Sequence, residues 1–101
     1  MSRTKRGGQF TEPQLPENPV VQVGKIEFRY HLGSEGGRIE HGPPHLHVVG
    51  GGVEKTIGQN GFPTDRSPAL TRQEREIVQQ YRRVIRRVVR KVARWHRFQT
   101  L

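Results

Sequence analysis

The sequence predicts an α+β fold in which a small antiparallel sheet of three to four short strands packs on one long, basic, C-terminal helix. Polar and apolar residues alternate in the region 20–57, which is typical of half-buried strands. Apolar residues then recur at helical spacing from residue 77 onward. A chain of 101 residues with 31% hydrophobic residues indicates one domain with a small core.

The first predicted strand lies within 20–32. Residues Ile26, Phe28, Tyr30 and Leu32 alternate with Lys25, Glu27, Arg29 and His31, so we expect the first set to face the core. Gly24 is expected to bend or bulge this strand. The preceding segment, 1–19, is rich in Pro, Glu and basic residues and predicts a flexible linker, which leaves 20–101 as the single domain.

Two further strands are predicted at 45–49 and 53–57, separated by the tight turn Gly50-Gly51-Gly52. In the first of them, Leu46 and Val48 share one face and His45 and His47 share the other. In the second, Glu54 and Thr56 lie on the polar face, with Lys55 near its edge.

The last element is predicted to be a helix of about 25 residues, roughly 38 Å long. Thr71 and Glu74 have the spacing of a capping box, which marks the start of the helix. An apolar stripe follows, made of Ile77, Tyr81, Val84, Ile85, Val88, Val92 and Trp95.

Positive charge is concentrated on this helix. The segment 71–101 holds ten Lys and Arg against two acids, a net of +8, whereas 1–70 holds eight against seven, a net of +1. Such a face favours a polyanion or an acidic protein as partner. The expected nucleic-acid-binding residues are Arg83, Arg86, Arg87, Arg90, Lys91 and Arg94.

Several function classes are excluded by composition. The chain has no cysteine, so disulfides and cysteine-ligated zinc are excluded. No apolar run approaches the ~18 residues of a membrane span, and no membrane partner is expected. The few, scattered carboxylates do not suit glycosidase chemistry, and no Ser/His/Asp arrangement stands out.

The histidines suit cleavage of RNA through its own 2′-hydroxyl. One imidazole can take the proton of that hydroxyl and another can protonate the departing 5′-oxygen, because the pKa of histidine lies near neutrality. We expect His45 and His47 to be this pair, with Arg29 and Lys55 stabilising charge on the phosphate. His31 and Thr56 are supporting candidates. No metal or other cofactor is required, because the attacking group is within the substrate.

Other interpretations stay open. His45 and His47, with His41 or Glu54, could instead hold a transition metal in a metal-dependent nuclease such as a DNase. The histidines could also be structural, in a non-catalytic basic protein that binds nucleic acid or the ribosome through its arginines alone.

The motifs HGPPHLHVVGGG and KTIGQNGFP, and a Leu-Thr-x-x-Glu helix start, resemble the C-terminal toxin domains of bacterial polymorphic toxins. Such domains form the C-terminal parts of Rhs-repeat proteins and of contact-dependent inhibition proteins. The resemblance covers roughly 40–98. Its most specific part is the spacing of His41, His45 and His47, followed by Ile57-Gly58-x-Asn60-Gly61-x-Pro63.

The resemblance implies a ribonuclease toxin in which His41, His45 and His47 are active-site residues. It also implies a cognate immunity protein, expected to be acidic, and a larger parent delivery protein to which 1–19 was joined. The toxin would be secreted or delivered by the producer cell and would act in the cytoplasm of a target bacterium.

Overall fold

The structure is a computed structural model that describes residues 14–32 and 44–99. Within these residues it contains one antiparallel sheet with the strand order β1-β2-β3-β4, followed by two helices. The predicted α+β class is confirmed. The elements are β1 (Val21–Val23), β2 (Ile26–Arg29), β3 (Leu46–Val49), β4 (Lys55–Ile57), α1 (Arg72–Gln80) and α2 (Arg82–Gln99).

The segment predicted as one bent strand is instead a hairpin of β1 and β2. Val21 pairs with Phe28 and Val23 with Ile26, so only Gly24 and Lys25 form the turn. Gly24 has a φ of +60°, a conformation that glycine adopts without steric cost. The glycine was expected to bend the strand, and the correction is that it reverses the chain.

Burial confirms the predicted alternation within β2 and β3, but Leu32, which was expected to face the core, is 41% exposed just beyond β2. Ile26 and Phe28 in β2, and Leu46 and Val48 in β3, are buried in the core. The intervening residues of both strands are only partly buried on the opposite face of the sheet. The sheet therefore has one apolar face and one polar face, and the histidines of β3 belong to the polar one.

Part of the predicted linker is folded. Leu15 packs against the core, and the Asn18 side chain bonds to the backbone of Tyr30 in both directions. The Tyr30 hydroxyl also donates to the carbonyl of Pro16. Residues 14–19, predicted as part of a flexible linker, thus make contacts with the fold, because the Asn18 amide extends the hydrogen bonding past the end of β2. Residues 1–13 lie outside the described residues.

The predicted long helix is divided at Tyr81 into α1 and α2. Tyr81 has φ −108° and ψ 24°, yet its N–H still donates to Ile77 at 2.9 Å and its carbonyl accepts from Ile85 at 2.9 Å. The distortion is therefore local. The buried faces of the two helices share one core with the sheet, through Ile77, Val78, Ile85, Val88, Val89 and Val92.

A buried ion pair joins β4 to the first turn of α1. Lys55 Nζ lies 3.0 Å from Glu74 Oε2, and the side chains of Lys55 and Glu74 are 4% and 0% exposed. The other oxygen of Glu74 accepts from the N–H of Thr71 at 2.8 Å, and Glu74 N donates to Thr71 Oγ1, which confirms the capping box. The carboxylate of Glu74 thus accepts the hydrogen bond of the helix cap through one oxygen and pairs with the ammonium of Lys55 through the other.

We expect Lys55→Met to lower the free energy of unfolding by about 3–5 kcal/mol, because it leaves Glu74 charged and buried without its cation. The measurement is denaturant unfolding followed by circular dichroism. Arg72→Met is the matched control, since it removes the exposed pair between Arg72 and Glu76, which is worth at most ~1 kcal/mol. Equal losses in both variants would contradict the stabilising role of the buried pair.

Candidate active site

Three strands contribute one residue each to a row across the polar face of the sheet. In the strand register, Arg29 of β2 lies opposite His47 of β3, and His47 lies opposite Thr56 of β4. Directly paired residues on one face have neighbouring side chains. The strands that carry these residues are thus neighbours in the sheet, and three of the predicted site residues are adjacent.

Three histidines form a cluster around His47, the central residue of this row. The rings of His31 and His47 are stacked, with centroids 3.7 Å apart and planes 14° apart. The ring of His45 is tilted by 60° to that of His47, with centroids 5.0 Å apart. We call His31, His45 and His47 the histidine cluster. His41, the remaining histidine of the motif, lies outside the described residues.

Glu54 orients the central imidazole of the cluster. Its Oε2 lies 2.6 Å from Nδ1 of His47. An ionised carboxylate can only accept a hydrogen bond, so Nδ1 carries the proton that is donated to Glu54. In the neutral ring, Nε2 then presents its lone pair.

The sequence did not predict this role of Glu54. Alternation placed the residue on the polar face with Thr56, but it was considered only as a possible metal ligand. The available signal was its position two residues before Thr56, which places both side chains on the same face.

The Thr56 hydroxyl is held at the outer edge of the sheet. Thr56 Oγ1 is hydrogen-bonded to Thr64 Oγ1, and Thr56 N donates to Ser67 Oγ at 2.9 Å. Thr64 N in turn donates to Thr56 O at 2.9 Å. The loop after β4 thus covers this edge strand and fixes the Thr56 side chain on the strand that pairs with His47.

Arg29 supplies the positive charge of the site. Its Nη1 lies 2.8 Å from Glu27 Oε1, and its side chain is 36% exposed. A guanidinium carries five N–H donors, so one ion pair does not use its capacity to bind a phosphate.

The structure does not bring Lys55 to the histidine cluster, and this corrects the sequence prediction. Lys55 points to the apolar face of β4, where Glu74 neutralises it and Gly51 O accepts from its Nζ at 3.3 Å. A buried, paired ammonium cannot reach a phosphate on the opposite face. Alternation with Glu54 and Thr56 already placed Lys55 away from the polar face, but the sequence did not show that Glu74 would pair with it there.

The predicted nucleic-acid-binding residues line one shallow groove of about 340 Å³ on α2. All six are exposed: Arg83, Arg86, Arg87, Arg90, Lys91 and Arg94. We call this feature the basic groove. Because α2 buries its apolar side in the core shared with the sheet, the groove and the polar face of the sheet lie on opposite sides of the molecule.

The stacked geometry affects the protonation of His31. Its side chain is largely exposed, but desolvation of the covered part of its ring lowers its pKa below the ordinary value of 6.5. The neighbouring His47 lowers the pKa further, whereas Glu54 acts in the opposite direction. The lowered pKa favours the uncharged form of His31 near neutral pH.

Within residues 14–32 and 44–99, no group of three or more His, Asp or Glu side chains has an arrangement that could hold a metal ion. In the same part of the chain, no helix combines the length and apolarity needed to cross a membrane.

Comparison with known proteins identifies no relative. No protein-family model, curated protein or solved structure matches this chain significantly.

We expect the titration midpoint of His31, followed by NMR of its ring nitrogens, to lie below 6.5. The unfolded chain binds this proton more readily than the folded one, so His31 contributes stability above about pH 6.5 that is lost as pH falls toward its folded pKa. In His47→Ala the midpoint should rise, because the covering ring and its charge are removed. A wild-type midpoint at or above 6.5 would contradict the stacked arrangement.

Proposed function

We propose that the protein is a metal-independent endoribonuclease in which His47 is the general base. The observation that supports this most strongly is the 2.6 Å contact between His47 Nδ1 and Glu54. A carboxylate on Nδ1 holds the ring in the tautomer whose Nε2 accepts a proton, as an orienting carboxylate does in hydrolytic triads. On binding, the 2′-hydroxyl of RNA gives its proton to Nε2 while its oxygen attacks the adjacent phosphorus.

His45 is the general acid of the proposed reaction. Its ring is tilted by 60° to that of His47, with centroids 5.0 Å apart. Two imidazoles at this separation and tilt can serve different atoms of one phosphodiester. As the bond from O2′ to phosphorus forms, the bond from phosphorus to O5′ breaks, and His45 gives its proton to O5′. The products are a 2′,3′-cyclic phosphate and a 5′-hydroxyl, with no co-reactant.

The other residues of the row support this chemistry. Arg29, opposite His47, stabilises the charge that develops on the phosphoryl oxygens. His31 stacks on His47 and limits the rotation of its ring. Thr56, also opposite His47, offers a hydroxyl to the same phosphate.

A toxin is the biological role that best fits this activity. It is supported by the resemblance of 40–98 to polymorphic toxin domains. In this role the chain is the C-terminal part of a larger delivery protein and degrades RNA in the cytoplasm of a target bacterium. A cognate acidic immunity protein would neutralise it, and the basic groove offers such a partner a complementary surface.

A second candidate is a non-catalytic protein that occupies RNA through the basic groove. It is favoured by the position of the groove, which collects six cations on the side of the molecule away from the histidines. In that case binding would be strongly salt-dependent and indifferent to the histidine cluster.

The proposed reaction predicts that the double variant His45→Ala, His47→Ala cleaves RNA about 10²- to 10⁴-fold more slowly than wild type in EDTA. The products from wild type should end in 2′,3′-cyclic phosphate, as shown by mass spectrometry. His96→Ala, in α2, is the matched control and should retain activity. Glu54→Gln should lower kcat, since the amide no longer enforces the tautomer of His47.

Any of three results would contradict the ribonuclease proposal. These are activity that disappears when a chelator is added, activity of the double variant equal to that of wild type, and RNA that stays intact with wild type. Expression in bacteria gives a parallel readout. Growth arrest by both proteins with intact total RNA would favour the non-catalytic candidate.

The basic groove predicts a separate effect on binding. The variant Arg86→Glu, Arg87→Glu, Arg90→Glu should bind RNA more weakly, with a salt dependence whose logarithmic slope is smaller by about 2, the value for three lost phosphate contacts on a single strand. Its helical circular dichroism should be unchanged, because all three residues are exposed. Arg72→Glu, outside the groove, is the control. Loss of helicity, or equal weakening by the control, would contradict this assignment.

A further inference from the structure

We propose that the turn at 58–62 and the adjoining junction of α1 and α2 form a subsite for one nucleotide of single-stranded RNA. The base stacks on Phe62 and its phosphate is held by arginines of α2. The inference rests on the proposed ribonuclease function and deepens it, because it specifies the form of RNA that the site accepts.

Phe62 is held in solvent by a tightly bonded turn. Phe62 is 73% exposed, the highest value among the exposed large hydrophobic residues in the described part of the chain. Gly58 N donates to Phe62 O at 3.0 Å, and Gly61 N donates to Gly58 O at 3.0 Å. A side chain at Gly61, whose φ is +86°, would come within 2.6 Å of Val78, so the turn abuts α1. The backbone that carries the ring is thus fixed, so little conformational entropy is lost when a base stacks on Phe62.

The surroundings of Phe62 match the parts of a nucleotide. The ring lines a groove of about 670 Å³ together with Tyr81, Arg82, Arg83 and Arg86. Phe62 also lines a second groove, of about 410 Å³, which includes Arg75. The described lining of both grooves contains arginines, amides and apolar groups but no carboxylate. Aromatic stacking with nearby cations is how proteins bind single-stranded nucleic acid.

The strand register connects this subsite to the histidine cluster. Leu46 pairs with Ile57, so His45, one residue earlier, lies at the end of the sheet where Gly58 begins the turn. His31, just beyond β2, lies at the same end, since Arg29 pairs with His47. An RNA strand on the histidine cluster can therefore pass around this end of the sheet to Phe62 and continue along the basic groove.

This path also explains how residues on opposite faces can serve one substrate. Arg83 and Arg86 line both the groove beside Phe62 and the basic groove, so the two surfaces are continuous. A single strand can follow the curve and turn a base onto the ring. A duplex keeps its bases paired and offers no free face for stacking.

The test is fluorescence anisotropy with a fluorescein-labelled, 2′-O-methyl single-stranded RNA decamer, which binds but cannot be cleaved. Phe62→Ala should raise its Kd by about 5- to 150-fold, the range expected for loss of one stacked base. Phe62→Trp should bind at least as tightly as wild type. Val53→Ala is the matched control, since Val53 is also exposed, at 63%, but lies in another loop. A blunt duplex of the same sequence should be bound equally by all four proteins.

An unchanged Kd in Phe62→Ala would overturn the subsite and would point to a partner protein as the occupant of Phe62. Equal weakening in the Ala and Trp variants, or equal weakening for the duplex, would overturn it as well. The outcome is independent of the histidine chemistry, because the probe has no free 2′-hydroxyl. Wild type that binds the decamer but leaves natural RNA intact would refute the ribonuclease and retain the subsite.

Discussion

The buried pair between Lys55 and Glu74 is the interaction on which the rest of the structure depends. β4 is an edge strand, and a loop separates it from the helices. The carboxylate of Glu74 completes the start of α1 and also neutralises Lys55, while Lys55 bonds to the glycine turn at Gly51. Strand residues alternate between faces, so a lysine fixed inward places its neighbours Glu54 and Thr56 outward, toward His47. A pair that carries no chemistry thus positions the residues proposed to carry it.

The two stacked rings of the histidine cluster meet different requirements, which a single imidazole could not do. Stacked rings repel one another when both are charged, and the lowered pKa of His31 favours the uncharged form of that ring near pH 7. His47, held through Nδ1 by Glu54, keeps its other nitrogen for proton transfer. In the proposed function, chemistry is confined to one face of the sheet and electrostatic binding to α2. The subsite at Phe62 would join the two around the end of the sheet.

Local periodicity explains why much of the fold could be predicted. Alternation placed Phe28 and Leu46 in the core and His47 opposite them, and the capping box placed the start of α1 at Thr71. The hairpin at Gly24 was not predicted, because a bulge and a two-residue turn both accept a glycine of positive φ. The docking of 14–19 was missed for another reason. It depends on Asn18 bonding the backbone of Tyr30, twelve residues away, which composition does not show.

The sequence by itself determined the fold class, the two faces of each main strand and the collection of cations on the last helix, because side-chain direction and charge follow from residue spacing along one element. It also placed His45 and His47 on one polar face. Only the tertiary structure decided that His31 stacks on His47, that Glu54 orients it and that Lys55 pairs with Glu74. These contacts join different elements, and their geometry is set by strand register and by helix docking, which no local pattern specifies.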